Sequence, residues 1–256
     1  MKTIKGKLYG SIPHMPGSCN YQERDVYIDD TSYRIAIGEI KPKNSKEYPN
    51  VYVTEKMDGS CCGVILTEDN QVVALTRAGN TAWSSPYYQH HVFAQWVLEN
   101  EDQFRKMMFP GQRIVGEWVL QLHSTMYREA GFYLFDVFDS DNTKCCYEVV
   151  KSVVEHQYMA LLKLPRLVAK SEGKGSKLSP NNCFYLAQRE SAYSPEGLVY
   201  TVEAASTVEH GGKVLFKCKW VRPGYEPGKY MKDEVWQPFS NVHEFSDSLL
   251  KMLSKH

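Results

Sequence analysis

Runs of apolar and β-branched residues in the first half of the chain alternate with short turn-forming stretches. The runs are residues 51–56, 62–67 and 71–77, and the stretches between them contain Asp58-Gly59-Ser60 and Glu68-Asp69-Asn70. β-Branched side chains favour extended backbone, whereas Asp, Asn and Gly favour turns. The pattern therefore predicts an antiparallel meander of three strands.

The apolar spacing changes to a helical period between residues 85 and 108. The positions that recur at nearly 3.6 residues are Tyr88, Val92, Trp96, Val97 and Phe104, and Pro86 lies where a helix would begin. One long helix, broken near Glu99, is predicted. Further strands are expected at 113–120, 131–138, 197–203 and 213–220, and further helices at 149–164 and 242–254. This order indicates an α+β protein.

Two other segments are predicted to be irregular. Residues 12–17 are rich in Pro and Gly, which indicates a loop that packs on another part of the fold. Residues 163–180 carry five basic residues against the single acid Glu172, and they include Gly173 and Gly175. We expect this second segment to be a mobile basic loop.

The composition is that of a globular protein, with 43% hydrophobic and 23% charged residues among 256. Thirty basic residues balance thirty acidic ones, so any surface that attracts a phosphate polymer must be local. The seven cysteines show no CxxC spacing, which favours reduced thiols over a zinc site. No signal peptide or membrane-length apolar run is recognised, and we expect a cytoplasmic protein.

The segment with the clearest chemistry is Glu55-Lys56-Met57-Asp58-Gly59-Ser60, a lysine at the end of a predicted strand followed by a turn. An amine attacks phosphorus only when it is unprotonated, so a reactive lysine needs burial, cationic neighbours or a metal to lower its pKa. Gly59 would let the backbone come close to phosphates. By itself, Lys-x-Asp-Gly is equally compatible with a surface turn.

Five downstream segments give this lysine its context. In chain order they are Thr76-Arg77-Ala78-Gly79, Gly116-Glu117-Trp118, Phe132-Tyr133-Leu134-Phe135-Asp136-Val137, Glu196-Gly197-Leu198-Val199 and Leu215-Phe216-Lys217-Cys218-Lys219-Trp220. The series resembles the nucleotidyltransferase motifs shared by DNA ligases, RNA ligases and mRNA capping enzymes. The opening residues 9–18 are similar to those of small bacteriophage-type RNA ligases, which favours RNA.

The resemblance implies a role for each matching residue. Lys56 would attack the α-phosphate of ATP and carry AMP, and Phe135 would stack on adenine. Arg77 and Glu117 would hold the sugar and phosphates, and Glu196 would bind the divalent metal. Lys217 and Lys219, two apart on a strand, would contact the α-phosphate together and help to keep Lys56 deprotonated. Glu55, Asp58 and Gly59 are assigned to the same nucleotide site.

The resemblance also implies the fold and the reaction. The expected fold is the α+β nucleotidyltransferase core, the ATP-grasp-like adenylation fold of ligases, with antiparallel sheets and flanking helices. We expect one adenylyltransferase domain over residues 1–256 with an N-terminal extension and no C-terminal OB domain. ATP with Mg²⁺ or Mn²⁺ would be used to join RNA 5′-phosphate and 3′-hydroxyl ends through lysyl-AMP. A DNA ligase, a capping-type guanylyltransferase and a non-catalytic nucleic-acid-binding relative are alternatives, and whether a partner protein takes part stays open.

Other polar residues permit simpler interpretations. His90, His91 and His123 are assigned to packing or surface roles rather than to a metal site, because adjacent helical histidines point in different directions. The basic stretch 163–177 is a solvated loop by default, and its charge raises the hypothesis that it binds RNA phosphates. The role of Asp136 is left open between metal binding, an ion pair and a cap.

Overall fold

The computed structural model describes residues 4, 6–19, 25–156, 159–171, 173, 176–205, 212–231 and 236–254. In chain order its elements are α1 (Asp30–Ala36), β1 (Asn50–Lys56), β2 (Ser60–Leu66), β3 (Val72–Thr76), α2 (Tyr88–Glu99), α3 (Glu101–Met107), β4 (Arg113–Val119), β5 (Gly131–Phe138), α4 (Tyr147–Glu155), β6 (Leu162–Lys163), β7 (Leu167–Lys170), α5 (Pro180–Glu190), β8 (Gly197–Glu203), β9 (Val214–Val221) and α6 (Asp247–Leu253). Short 3-10 turns lie at Ala82–Ser84 and Val242–Glu244. No described helix is long and apolar enough to cross a membrane.

The strands form two sheets. One has four strands in the order β7-β1-β8-β9, with all neighbours antiparallel. The other has five strands in the order β3-β2-β4-β5-β6, in which only the short β5–β6 pair is parallel. The expected α+β core of antiparallel sheets and flanking helices is confirmed, with β6 as the one parallel strand in the described part of the chain.

The predicted three-stranded meander is wrong at its first strand. β1 pairs along its whole length with β8, so that Lys56 lies opposite Gly197, whereas β2 pairs with β3 and β4. Residues 57–59 therefore connect the two sheets instead of closing a hairpin. A turn signal fixes only the local backbone, while the partner of β1 lies about 140 residues away and leaves no local trace.

Each sheet has its own core. Alternate residues of β1, such as Val51 and Val53, pack with β8, β9, α1 and α5. The outer face of the five-stranded sheet packs on α2, α3, α4 and α6 around Trp96 and Trp118, which are 1% and 0% exposed. Because strand residues alternate in direction, the remaining faces of both sheets are free to line a cleft.

The N-terminal segment packs against both sheets, as expected for residues 12–17. Met15 is fully buried, and its N–H donates to the Lys219 carbonyl at 2.8 Å. The Leu8 N–H donates to the Arg77 carbonyl at 3.0 Å, and Leu8 and Tyr9 cover the cleft-facing side of β3 to β5. This segment therefore closes one side of the cleft.

The helix predictions are confirmed in part. The helix expected at 85–108 is α2 and α3, broken at Asn100, and the terminal helix is a 3-10 turn followed by α6. The helix expected at 149–164 is wrong beyond Glu155, because α4 ends there with His156 as its C-cap and the chain enters β6 at Leu162.

The expected basic loop at 163–180 is wrong at its beginning, where Lys163 lies in β6 and Leu167–Lys170 form β7 along the edge of β1. The described residues 171, 173 and 176–179 are irregular, as expected, and α5 begins at Pro180. Glu172, Lys174 and Gly175 lie outside the described residues. Cys19, Cys61, Cys62, Cys145, Cys183 and Cys218 are free thiols.

Candidate active site

A cleft of about 930 Å³ lies between the two sheets, and residues from both line it. The four-stranded sheet contributes side chains from β1, β8 and β9, among them Thr54, Lys56, Val199, Thr201, Lys217 and Lys219. The five-stranded sheet and the N-terminal segment contribute Tyr9, Cys61, Arg77, Glu117 and Phe135. Seven of the ten residues that the sequence assigned to the site, Glu55 among them, thus line one pocket, and Glu196 lies beside it in contact with Lys56.

Lys56 ends β1 and faces two carboxylates. Its Nζ donates to Glu196 Oε2 at 2.7 Å, and the side chains of these two residues are 23% and 9% exposed. Glu117 is the second carboxylate whose charge acts on Lys56. Burial raises the pKa of Glu196 and of Glu117 to about 7, although the Lys56 ammonium opposes this. Two acids and one lysine form a cluster with surplus negative charge.

The expected depression of the Lys56 pKa is not what this cluster produces. Burial lowers the pKa of Lys56, but Glu196 and Glu117 together outweigh burial and raise it above its ordinary value. The nearby Lys219 is the group with the depressed pKa, because of burial and then the charge of Lys56. The expectation failed because it counted the lysines of β9 and left out the carboxylates that lie closer.

The turn after Lys56 is fixed by its contacts with the five-stranded sheet. The Gly59 N–H donates to Glu117 Oε1 at 3.2 Å, and a Cβ on Gly59 would lie 2.6 Å from the Trp118 carbonyl oxygen. Only glycine fits at this close approach of β4. The turn thereby couples the position of Lys56 to that of Glu117.

Asp58 lies in this turn but points away from the pocket. Its Oδ2 accepts from the Ser124 and Thr125 N–H groups at 2.9 and 2.7 Å, and its own N–H donates to the Tyr127 hydroxyl at 2.7 Å. The carboxylate holds the loop at residues 123–127 behind Lys56. Its observed contacts are structural, and it is absent from the residues that line the cleft.

Lys217 and Lys219 project into the pocket from β9, while Cys218 between them is buried in the opposite core. Lys217 Nζ lies 2.7 Å from Asp136 Oδ1 and donates to the Phe135 carbonyl at 2.9 Å. The role of Asp136, left open above, includes this buried ion pair. Two lysines on β9 thus line the same pocket as Lys56 and Glu117.

Phe135 and Arg77 lie at two further positions in the pocket. Phe135 is partly buried and meets the Tyr9 ring edge-on, with centroids 5.1 Å apart. Arg77 is exposed, and its guanidinium donates to Ser11 Oγ at 2.9 Å. An aromatic face and an exposed guanidinium suit a base and a phosphate or ribose, respectively.

Glu55 lies on β1 before Lys56, and its side chain is 1% exposed. Its Oε2 is 3.4 Å from Arg166 Nε, and Arg166 also pairs with Glu190 at 2.9 Å. Lys163 meets Glu129 and Glu244, and Lys170 meets Glu148, whereas Lys177 is exposed. Three of the four cations in the described part of the stretch therefore have an acidic partner.

Three residues near the site were not singled out for it from the sequence. Tyr9 and Lys144 both contact Asp136. His123 is 7% exposed, with Nδ1 4.0 Å from Asp58 Oδ1, and burial lowers its pKa. The expected packing role of His123 fits its burial, but its place beside Asp58 depends on a contact between distant segments that sequence spacing does not reveal.

The carboxylates of this site fit a metal ion that also binds the substrate. Among the described residues, no three His, Cys, Asp or Glu side chains are arranged to hold a metal. Mg²⁺ and Mn²⁺ take hard oxygen ligands, and Mg²⁺ commonly binds through one or two carboxylates together with phosphates and water. Glu196 and Glu117 are two neighbouring carboxyl groups at the pocket, and they match that arrangement.

A strand-end lysine between carboxylates and lysines, in a cleft between antiparallel sheets, defines a site of the covalent nucleotidyltransferase class. A family model described as RNA ligase matches residues 49–219, which is well over half of the sequence. The chain therefore belongs to the RNA ligase family. No curated protein matches it.

Solved structures include similar RNA ligases. An archaeal ATP-dependent RNA ligase is 20% identical with a TM-score of 0.47, over 68% of this chain and 42% of that one. A Naegleria gruberi RNA ligase with PPi is 18% identical with a TM-score of 0.46, over 68% and 49%. A variant of the Naegleria ligase with ATP and Mn is 17% identical with a TM-score of 0.47, over 69% and 51%. The chain spans about half of these proteins or less.

Proposed function

We propose that this protein is an ATP-dependent RNA ligase that joins 5′-phosphate and 3′-hydroxyl ends, with Lys56 as the nucleophile. The observation that carries the proposal is the position of Lys56 Nζ, in the cleft and 2.7 Å from Glu196 Oε2. Membership of the RNA ligase family supports RNA as the polymer. The pocket motifs alone fit RNA and DNA ligases equally.

In the first step, the Lys56 Nζ lone pair attacks the α-phosphorus of ATP. A nitrogen–phosphorus bond forms, the bond from the α-phosphorus to the bridging oxygen breaks, and pyrophosphate leaves. Lys56 must first give up a proton, which can pass to solvent because its side chain is 23% exposed.

Charge neutralisation and alignment, rather than acid–base chemistry, account for most of the catalysis of phosphoryl transfer. Lys217, Lys219 and Arg77 line the pocket and would receive the phosphates. A divalent metal ion, when bound, would supply further positive charge at the phosphates, with Glu196 as its protein ligand. Phe135 presents a ring face that an adenine base would stack on.

In the later steps, AMP passes from Lys56 to the RNA 5′-phosphate, and the 3′-hydroxyl then displaces AMP to form the phosphodiester. The exposed Arg77 at the rim and the Lys219 amine, whose pKa burial lowers, lie where the terminal phosphate would approach. The same cationic side of the pocket would therefore serve all three steps.

The test is incubation with α-labelled ATP, GTP or NAD⁺ and Mg²⁺ or Mn²⁺, followed by a denaturing gel. We expect acid-labile label on the protein from ATP alone, because an N–P bond is acid-labile. Label from GTP would instead indicate a capping-type guanylyltransferase. Absence of label from every nucleotide would contradict the first step.

The polymer is tested separately with pre-adenylated ends. RNA and DNA oligonucleotides of the same sequence, each with a 5′-adenylated end and a 3′-hydroxyl partner, bypass the first step. We expect sealing of the RNA pair in preference to the DNA pair. Equal sealing of DNA would favour a DNA ligase, and no sealing of either would favour a non-catalytic nucleic-acid-binding relative.

A further inference from the structure

Asp136 is a buried carboxylate, 0% exposed, that faces two lysines and a tyrosine. Lys217 Nζ lies 2.7 Å from its Oδ1, and Lys144 Nζ lies 3.1 Å from its Oδ2. The Tyr9 hydroxyl donates to the same Oδ2 at 2.5 Å and accepts from Lys144 at 3.1 Å. We call these four side chains the Asp136 network.

Only part of the Asp136 network reaches the nucleotide pocket. Lys217 and Tyr9 line the pocket, whereas Asp136 and Lys144 lie behind them. The Lys144 ammonium lies over the Tyr9 ring at 4.7 Å and over the Phe138 ring at 5.4 Å, which fixes its position. A ligand in the pocket would therefore meet Lys217 but not Lys144.

The charges of the Asp136 network do not cancel. Within the network two ammonium groups share one carboxylate, so one positive charge remains for a ligand. Outside the network, the Arg113 guanidinium adds positive charge near Asp136, and the Glu203 carboxylate adds negative charge near Lys217. A lone Lys217–Asp136 pair would be neutral, and a buried carboxylate that loses its only counter-charge is strongly destabilised. Lys217 can therefore serve both Asp136 and a phosphate only because Lys144 and Tyr9 also satisfy Asp136.

We propose that Lys144 and Tyr9 are positioning residues for ATP. Lys144 supplies a counter-charge to Asp136 and Tyr9 donates a hydrogen bond to it, and Lys217 thereby stays fixed in the pocket with its positive charge available to the phosphates. The identity of the ligand rests on the function proposed above. The roles of Lys144 and Tyr9 go beyond that function, since neither residue is needed as a nucleophile or a metal ligand.

The titration of the Asp136 network agrees with its geometry. Burial would raise the pKa of Asp136, but Lys217 and then Lys144 outweigh burial and lower it. Asp136 is therefore ionised at neutral pH. Burial also lowers the pKa of Lys144, and Asp136 opposes that change. Loss of Lys144 would move the pKa of Asp136 upward.

The decisive variant is Lys144→Met, which keeps the length of the side chain and removes its charge. Its affinity for α,β-methylene-ATP, which cannot donate AMP, should fall about ten-fold, the effect of losing one charge-assisted interaction. The rate of AMP labelling should decline at low pH, and in the variant this decline should begin at a higher pH, because Asp136 would protonate more easily. Lys144→Arg should restore both properties, and Lys106→Met, at an exposed lysine of α3, should change neither.

Tyr9→Phe provides an independent test, since it removes the hydroxyl and keeps the ring that meets Phe135. It should weaken analogue binding in the same direction and more mildly, and it decides the matter if Lys144→Met does not fold. Unchanged analogue affinity and an unchanged pH profile in a folded variant would overturn the inference. Weakened binding in a protein whose wild type never forms AMP-protein would support the inference while contradicting the proposed function.

Discussion

Two clusters of charged side chains lie at this cleft, and their net charges have opposite signs. The first holds one lysine, Lys56, against the two carboxylates Glu196 and Glu117, and is surplus in negative charge. The second holds one carboxylate, Asp136, against Lys217 and Lys144, and is surplus in positive charge. Unpaired buried charge is costly, so each surplus points to a ligand of opposite sign. The first cluster, which contains the proposed nucleophile, would bind a cation. The second would bind a phosphate.

The largest expected effect is loss of the nucleophile from the negative cluster. Lys56→Ala should abolish covalent AMP labelling, by about a thousand-fold or more, because no other group in the cluster replaces an attacking amine. Lys56→Arg is the matched control, since it keeps the charge opposite Glu196 but cannot act as a nucleophile. Both variants should fold, as measured by circular dichroism. Labelling that persists in either one would assign the nucleophile elsewhere.

The second effect breaks the positive cluster. Asp136→Asn leaves the buried Lys217 and the partly buried Lys144 without this counter-charge, and it should lower the free energy of unfolding by about 3 kcal/mol, measured in urea. AMP labelling should fall about 100-fold, because Lys217 loses its fixed position. Asp102→Asn, at a side chain that is 86% exposed, should leave both measurements unchanged. If both substitutions had the same effect, the prediction that the buried Asp136 contributes more than a surface carboxylate would be wrong.

The third effect concerns stability and pH in the negative cluster. Burial raises the pKa of Glu117 to about 7. A folded-state pKa above the unfolded value means that stability is highest below the unfolded pKa and falls as pH rises to about 7. The free energy of unfolding of Glu117→Gln, relative to wild type, should therefore be higher at pH 8 than near pH 4.5 by about 2 kcal/mol. AMP labelling by this variant should fall.

Thermal unfolding of Glu117→Gln and wild type across this pH range measures the effect. Glu155→Gln, at a carboxylate on α4 that is 52% exposed, is the control and should show no such pH dependence. A stability difference that does not change with pH would mean that Glu117 is not held in an unfavourable charged state.

The two clusters also show how far sequence reasoning reaches. Lys56, Glu117, Glu196, Lys217 and Lys219 were assigned from motif order, and the structure brings them to one cleft. The protonation of Lys56 was predicted wrongly, because the charge balance depends on distances between side chains of β1, β4, β9 and the residue before β8. Tyr9 and Lys144 were missed, since their contact with Asp136 joins segments that no motif connects.

In the fold as well, features set by neighbouring residues were predictable, and contacts between distant segments were not. The break at Asn100 and the strands β2 to β5 follow from apolar periodicity, whereas β6 lies where a helix was predicted. The pairing of β1 with β8 does not, because many different pairings satisfy the same alternation. Helix α5 was missed since its buried stripe is only Pro180, Cys183 and Ala187, although Ser179-Pro180 is a helix-start signal.

The smallest expected effect lies outside both clusters. His90 is partly buried beside Ser85, with Nδ1 2.6 Å from Oγ, and desolvation lowers its pKa to about 4. It is therefore neutral at physiological pH and adds no charge to either cluster. His90→Ala should change AMP labelling less than about two-fold, while costing about 1 kcal/mol of stability through the lost hydrogen bond. A loss of labelling comparable to that of Asp136→Asn would mean that the charge balance of the cleft extends to α2, and the account of two separate clusters would then be incomplete.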